Sequence, residues 1–372
     1  MANLAIQSLP ALTWPTLRLT RANRKPRLSL ALQGGGAHGA YTWGVLDALL
    51  EAGRFDWDSL SGTSAGALNA IVMADGLARV PVHSGPAGVA AANDAAREAL
   101  AAFWLEIGTQ APFEWFASPD SDDPGLVPVA RVALQWTQLL SPYQLNPFGL
   151  NPLRDLLARQ VDFERLRAAS PVRLYIAATQ VRTGRLRLFR EHELTVDMAL
   201  ASACLPMLHH AVSVEGEDHW DGGYSANPAL YPLTAPGHAD DVLIVMLSPL
   251  AYAEPGAASP SSVVEIRTRV AEIAFNATFQ REAASVGRAC AAAQHPWWPA
   301  GRTERRLRQL RWHLIDAQEA LGHLRSETKL LAHRPFLEKL RDLGRERAQA
   351  WLQEEGPQIG KNATVDLRER FA

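Results

Sequence analysis

Apolar and polar positions along the chain change period in blocks, and the blocks predict strands and helices in alternation. Residues 28–32 form a short apolar run around Ser29, the pattern of a buried strand. A glycine cluster follows at Gly34, Gly35, Gly36 and Gly39. Tyr41, Val45, Leu49 and Ala52 then recur at helical spacing, with Gly53 as a stop. The plan repeats: residues 55–61 read as a strand, Gly62 to Gly66 as a turn, and residues 65–77 as a helix. Residues 80–92, rich in Gly, Ala and Pro, read as a loop, and residues 94–107 as a helix. Further strands are predicted at residues 172–178 and 186–189. A hairpin is predicted at 212–220, turning at Glu215-Gly216. Residues 242–247 are six consecutive apolar positions, as in a parallel strand covered on both faces.

The last third changes to helical spacing, with Val263, Ile266, Val270, Ile273 and Ala277 on one stripe and Leu337, Leu340, Gly344, Ala348 and Trp351 on another. Between them, residues 307–315 read as one more strand carrying Arg308, Arg311 and His313. Strands alternating with helices predict an α/β fold whose mostly parallel central sheet is flanked by helices. The expected organisation is an extension over residues 1–26, a catalytic unit over 27–250 with a cap-like insertion at about 79–161, and a mostly helical region over 251–372. No repeat of solenoid period is present.

Composition narrows the classes. The chain has 372 residues, 47% of them apolar, enough for a sizeable core. A net charge of −2 excludes a general electrostatic attraction to nucleic acid. Two cysteines, Cys204 and Cys290, predict free thiols rather than a disulfide framework, which fits a reducing compartment such as the cytoplasm. No stretch is long and apolar enough to span a bilayer. The first 26 residues lack a basic start followed by an apolar run, so no secretory signal is expected, and their basic patch, Arg18 to Arg27, reads as a solvated tail.

Three short motifs carry candidate chemistry. Gly62-Thr63-Ser64-Ala65-Gly66 matches G-x-S-x-G, in which a serine stands on a tight strand-to-helix turn. Glycine is required on either side because strand and helix approach too closely for side chains, and the helix amides favour negative charge at the turn. The competing reading is a glycine turn with a helix-capping serine. The run Gly34-Gly35-Gly36-Ala37-His38-Gly39 supplies backbone N–H groups that can converge on a phosphate or an oxyanion. Its glycine spacing also satisfies the dinucleotide fingerprint, with Asp56 or Asp58 at the expected distance, but such a site has no use for a strained serine on the next strand. No Gly-Lys-Ser/Thr follows, which excludes a P-loop. The third motif, Asp221-Gly222-Gly223, is by itself common in ordinary turns.

Together, and in this order, the three resemble the patatin-like phospholipase family. The segment Ala201-Ser202-Ala203-Cys204-Leu205-Pro206 also resembles a stretch found there, and the resemblance runs from about residue 28 to 233. It implies a Ser-Asp dyad: Ser64 as nucleophile, Asp221 as base, and an oxyanion hole from Gly34, Gly35, Gly36 and Ala37. His38, Gly39, Gly62, Gly66, Gly222 and Gly223 support them. It implies a lipid acyl-ester substrate, no metal or organic cofactor, and transient contact with a membrane surface. The alternatives are an acyltransferase or thioesterase using the same dyad, or a lipid-binding regulator without turnover. The family usually carries Arg or Lys at the position of His38 and often Asp at that of Gln33; how much charge His38 keeps depends on pH.

Other features read more plainly. A triad would need a histidine after the acid, from His238, His295, His313, His323 or His333; of these only His238 falls in a suitable loop. His209 and His210 read as packing or surface residues, and Asp197 as a first-turn or capping residue. Asp120 to Gly125 departs from a calcium loop at Pro124 and Arg131 and reads as an acidic turn. Phe113, Trp115, Phe116, Trp136, Tyr143 and Phe148 read mainly as packing of the insertion, and Trp297-Trp298 as a similar case. Arg302, Arg305, Arg306, Arg308 and Arg311 read as a solvated face.

Overall fold

The computed structural model describes residues 25–81, 85–109, 140–249, 259–294 and 301–371. Most of the basic N-terminal patch, the acidic turn at Asp120, the aromatics from Phe113 to Trp136, His295 and Trp297-Trp298 lie outside the described residues. The elements alternate as the sequence predicts. Strand β1 (Arg27–Leu32) leads through a 3-10 turn (Gly36–His38) into α1 (Gly39–Ala52), which Gly53 ends in the left-handed region at φ 58°. Then come β2 (Asp56–Thr63), α2 (Ala65–Ala78), α3 (Gly85–Thr109), α4 (Pro152–Gln160), α5 (Phe163–Ala169), β3 (Arg173–Gln180) and β4 (Leu186–Phe189). After α6 (Val196–Ser202) the hairpin β5 (Val212–Val214) and β6 (Glu217–Asp221) turns at Glu215 and Gly216, both at positive φ. The chain continues through β7 (Asp241–Met246), α7 (Val263–Ala293), α8 (Arg302–Gln309), β8 (Arg311–Asp316), α9 (Arg334–Glu354) and α10 (Leu367–Phe371).

Among the described residues one eight-stranded sheet runs β5-β6-β3-β2-β1-β7-β8, with β4 also paired to β3. From β3 to β8 the pairing is parallel, while β4, β5 and β6 join antiparallel at one side. Alternation along β7 explains the layering. Leu243 and Val245 point into a core shared with α1, α2, α3 and α9, whereas Val242, Ile244 and Met246 meet Phe279 and Ala283 of α7 and Leu367 of α10. The sheet is thus covered on both faces, as its continuous apolar strands require.

Several expectations change. Residues 80–92 are not all loop: α3 begins at Gly85, because Pro86 fits the first turn, where its missing N–H is no loss, and the alanines after it favour helix. The strand expected at 307–315 starts only at Arg311, and Leu307 and Arg308 end α8. The arginines there are not simply a solvated face. Arg306 is buried and donates to the carbonyls of Leu233, Thr234 and Ala239 and to Asp240, and Arg311 pairs with Asp241 at 2.7 Å. Tyr143 stacks on His210 but is largely exposed, and Phe148 is 87% exposed, so neither packs a core. Val263, Ile266, Val270 and Ile273 do share one face of α7, and that face is exposed. Asp197 lies in the first turn of α6, whose cap is Thr195.

Candidate active site

Ser64 sits where β2 ends and α2 begins, at the carboxyl end of a parallel strand, with φ 54° and ψ −126°. A non-glycine residue at such a φ is strained, and the strain lifts the side chain off the turn. Two glycines make the turn possible. A Cβ on Gly62 would lie 2.6 Å from the carbonyl oxygen of Gly66, and one on Gly66 would land on the Leu32 carbonyl. The Ser64 hydroxyl does not cap α2, so the reading of a capping serine fails. Its backbone N–H instead donates to Ser202 Oγ at 3.1 Å.

Asp221 ends β6 and comes within range of Ser64 because β6 pairs antiparallel with β3, Ala178 against Asp221, one strand away from β2. Its N–H donates to the Cys204 carbonyl at 2.7 Å, and its Oδ1 accepts from Gly223 N–H at 2.8 Å. Gly222 is needed because a Cβ there would strike the Ala177 carbonyl, and Gly223 because it would strike the Phe275 ring. The carboxyl has no solvent exposure, and Oδ2 has no hydrogen-bond partner among the described residues. Burial pushes the group up from its ordinary 3.8 to about 7, offset in part by the Gly223 N–H and the Ser64 hydroxyl. Among the described residues no other side chain favours the charged carboxyl.

The glycine loop leaves β1 beside this pair. Gly34 cannot bear a side chain, since its Cβ would lie 2.7 Å from Cβ of Ser64. Its N–H is already engaged by Asn227 Oδ1 at 2.8 Å, so it is not a free donor as the sequence reading expected. Gly35, Gly36 and Ala37 donate to no described backbone or side-chain group. Gly36 is at φ 60°, and the Lys329 carbonyl lies where its Cβ would be. Gly39 allows α1 to meet α2, 2.6 Å being left between its absent Cβ and that of Ala65.

His38 is buried and neutral: desolvation first, then the nearby Lys329 charge, lowers it to about 3. The partial charge allowed for by the sequence is therefore absent at neutral pH. Lys329 is half-buried, and desolvation lowers its pKa, with Glu272 acting in the opposite sense. Gln33 is fully used. Its Oε1 accepts from the N–H groups of Leu247 and Ser248, and its Nε2 donates to Asn276 Oδ1 at 3.1 Å. Burial and the Asp221 charge push the Cys204 thiol up to about 12, so it is no rival nucleophile.

Among the described residues no histidine acts on the Asp221 carboxyl. His238 bonds Ser59 Oγ at 2.7 Å and the Tyr175 hydroxyl at 3.0 Å near the start of β2 and β3, the end of the sheet away from Ser64. His313 bonds Asp241 and Thr364, and His210 lies on Tyr143. No cluster of His, Cys, Asp or Glu among the described residues could hold a metal. Sequence reading missed Ser202 as the Ser64 amide's acceptor, and it missed Asn227, Phe275, Asn276 and Thr328. The last three lie in the helical third, and no motif signals them.

A mostly parallel α/β sheet with a strained serine at a strand-to-helix turn and a dry carboxyl beside it defines a serine esterase. Residues 30–233 match the family model for patatin-like phospholipase, and the chain belongs to that family. Its solved structural neighbours include VipD from Legionella pneumophila, 14% identical with a TM-score of 0.32, covering 86% of this chain and 67% of that one. Another is the ExoU-SpcU complex from the type III secretion system of Pseudomonas aeruginosa, 18% identical with a TM-score of 0.29 over 88% of this chain. The chain spans about half, 52%, of the length of that second structure's chain. No curated protein sequence matches it. Among the described residues no helix is long and apolar enough to cross a membrane.

Proposed function

We propose that this chain hydrolyses the carboxylic ester of a lipid, as a phospholipase A or lysophospholipase would, through an acyl intermediate on Ser64 with Asp221 as its base. The observation that carries the reading is the buried Asp221 carboxyl with the Ser64 hydroxyl beside it and, among the described residues, no histidine acting on it. A carboxylate is an ordinarily weak base, and burial raises it to about 7, close to a working pH. Ser64 Oγ bonds the ester carbonyl carbon while its proton passes to Asp221. The N–H groups of Gly35, Gly36 and Ala37 hold the resulting oxyanion, each such donor being worth about 3 kcal/mol. The tetrahedral species collapses, the bond to the alcohol breaks, and Asp221 returns its proton to that alcohol. Water then repeats the sequence on the acyl-serine, releasing the fatty acid and restoring both side chains. No step draws on a metal or cofactor.

Contact with a lipid surface belongs to the same reading. The exposed apolar stripe of α7, Val263 to Ile273, continues directly into Phe275 and Asn276, which touch the Asp-Gly-Gly turn and Gln33. The proposed setting is the cytoplasm, with the chain peripheral at a membrane; the free thiols fit it. The test is release of p-nitrophenol from a p-nitrophenyl acyl ester and of fatty acid from mixed phospholipids, with a fluorophosphonate label. Label on Ser64 and loss of turnover in Ser64→Ala support the reading; equal turnover in wild type and Ser64→Ala would refute it.

A further inference from the structure

The family match ends at residue 233, yet the glycine loop is held by residues far beyond it. Gln33, at the start of the loop, is bonded by Asn276 of α7. Asn227, which takes the Gly34 N–H, in turn donates to the Phe275 carbonyl at 3.3 Å. At the other end of the loop a 3-10 turn (Ser326–Leu330) lies against it. The Lys329 carbonyl occupies the space beside Gly36, and Thr328 Oγ1 stands 2.7 Å from His38 Nε2. Ser326 ties the turn back to Glu272 of α7.

The direction of the His38–Thr328 bond follows from counting hydrogens. A threonine hydroxyl has one, and it is donated to the Arg325 carbonyl at 2.7 Å. Oγ1 must therefore accept from His38, which fixes the proton on Nε2 and leaves Nδ1 as a bare lone pair. Nδ1 is buried and has no partner among the described residues, consistent with the bare nitrogen of that tautomer. Thr328 is fully buried and His38 nearly so, with the Phe336 ring edge-on to the imidazole. A neutral imidazole with a defined tautomer is a rigid strut rather than a charge. Its backbone N–H closes the loop onto the Gly35 carbonyl at 3.2 Å. The strut thus begins one residue from Ala37 and turns the Gly35 peptide.

The geometry points to Thr328 as a positioning residue for the oxyanion loop: through His38 it latches the Gly35–Ala37 peptides in the orientation that presents their N–H groups to the substrate. This rests on the ester hydrolysis proposed above. The latch belongs to the C-terminal third, so that region shapes the reaction without touching substrate.

The experiment uses the full chain and five proteins: wild type, Thr328→Val, His38→Leu, the double variant, and Thr328→Ser, which keeps the hydroxyl. Hydrolysis of p-nitrophenyl butyrate should show kcat falling about 10-fold in Thr328→Val with KM unchanged, and recovering in Thr328→Ser. The double variant should be no slower than the slower single variant, the signature of one shared bond. Hydrogen exchange of the peptide covering residues 33–40 should quicken in Thr328→Val and His38→Leu and stay slow in Thr328→Ser. Additive losses in the double variant, or unaltered exchange in both single variants, would overturn the latch. If wild type neither turns over nor takes a fluorophosphonate, the hydrolase reading fails, and the exchange comparison still decides whether the latch exists. Should Thr328→Val not fold, His38→Leu against Thr328→Ser decides the same question.

Discussion

At the scale of single residues, the decisive property is the dryness of the Asp221 carboxyl. In the folded chain it keeps its proton up to about pH 7, whereas unfolding returns it to the ordinary 3.8. Between those values the folded state binds more protons, so this group makes stability fall as pH rises from about 4 to about 7, by on the order of 4 kcal/mol. Asp221→Asn should abolish turnover and melt higher than wild type at pH 8, the gap narrowing toward pH 5; thermal melts at the two pH values check it. In wild type, kcat should climb with pH and level off above about 7. A kcat flat from pH 5 to 8 would contradict a carboxylate base held at this value. The three motifs that carry the proposed nucleophile and acid were legible in the sequence, because each needs glycines in fixed register. Which amides stay free was not: Gly34 is engaged by Asn227, 193 residues away, and no local pattern carries that.

At the scale of elements, close backbone crossings replace side-chain packing around the site. Helix α2 meets β1 at Gly66, and α1 crosses α9 through a reciprocal pair: a Cβ on Gly44 would strike the Arg341 carbonyl and one on Gly344 the Tyr41 carbonyl. Gly344→Ala should cost about 2 kcal/mol by forcing the helices apart, visible as a lower midpoint in urea, while leaving KM unaffected. Periodicity identified α7 and α9 equally well, but it reports only that apolar residues share a face. The α9 stripe is buried against α1, whereas the α7 stripe faces outward. Replacing Ile266 and Val270 with Asp should therefore leave the melting temperature nearly unchanged and weaken co-sedimentation with phosphatidylcholine vesicles. A large drop in melting temperature would mean that this face is covered after all. The misjudged start of α3 has a similar origin: glycine and proline at its first turn imitate a loop.

At the scale of the whole molecule, the division into a catalytic unit over 27–250 and a helical region over 251–372 is a proposal about sequence rather than about stability. Strand β8 extends the sheet beyond β7, and α7, α9 and α10 cover both faces. A chain cut after residue 249 should not fold independently, and the full chain should unfold in one transition by circular dichroism. A soluble, cooperatively melting truncated form would show the two parts to be separable. The parallel order of the sheet could be read from its apolar runs, while the role of the last third could not, since helices contribute it through scattered polar atoms. The burial of Asp221 has a final consequence for the catalytic cycle. Near neutrality the resting pocket holds a carboxyl already stripped of water and only about half ionised, so a greasy acyl chain entering it displaces no hydrated ion. The penalty for drying the acid is met once, when the polypeptide collapses, and is not incurred again at each turnover.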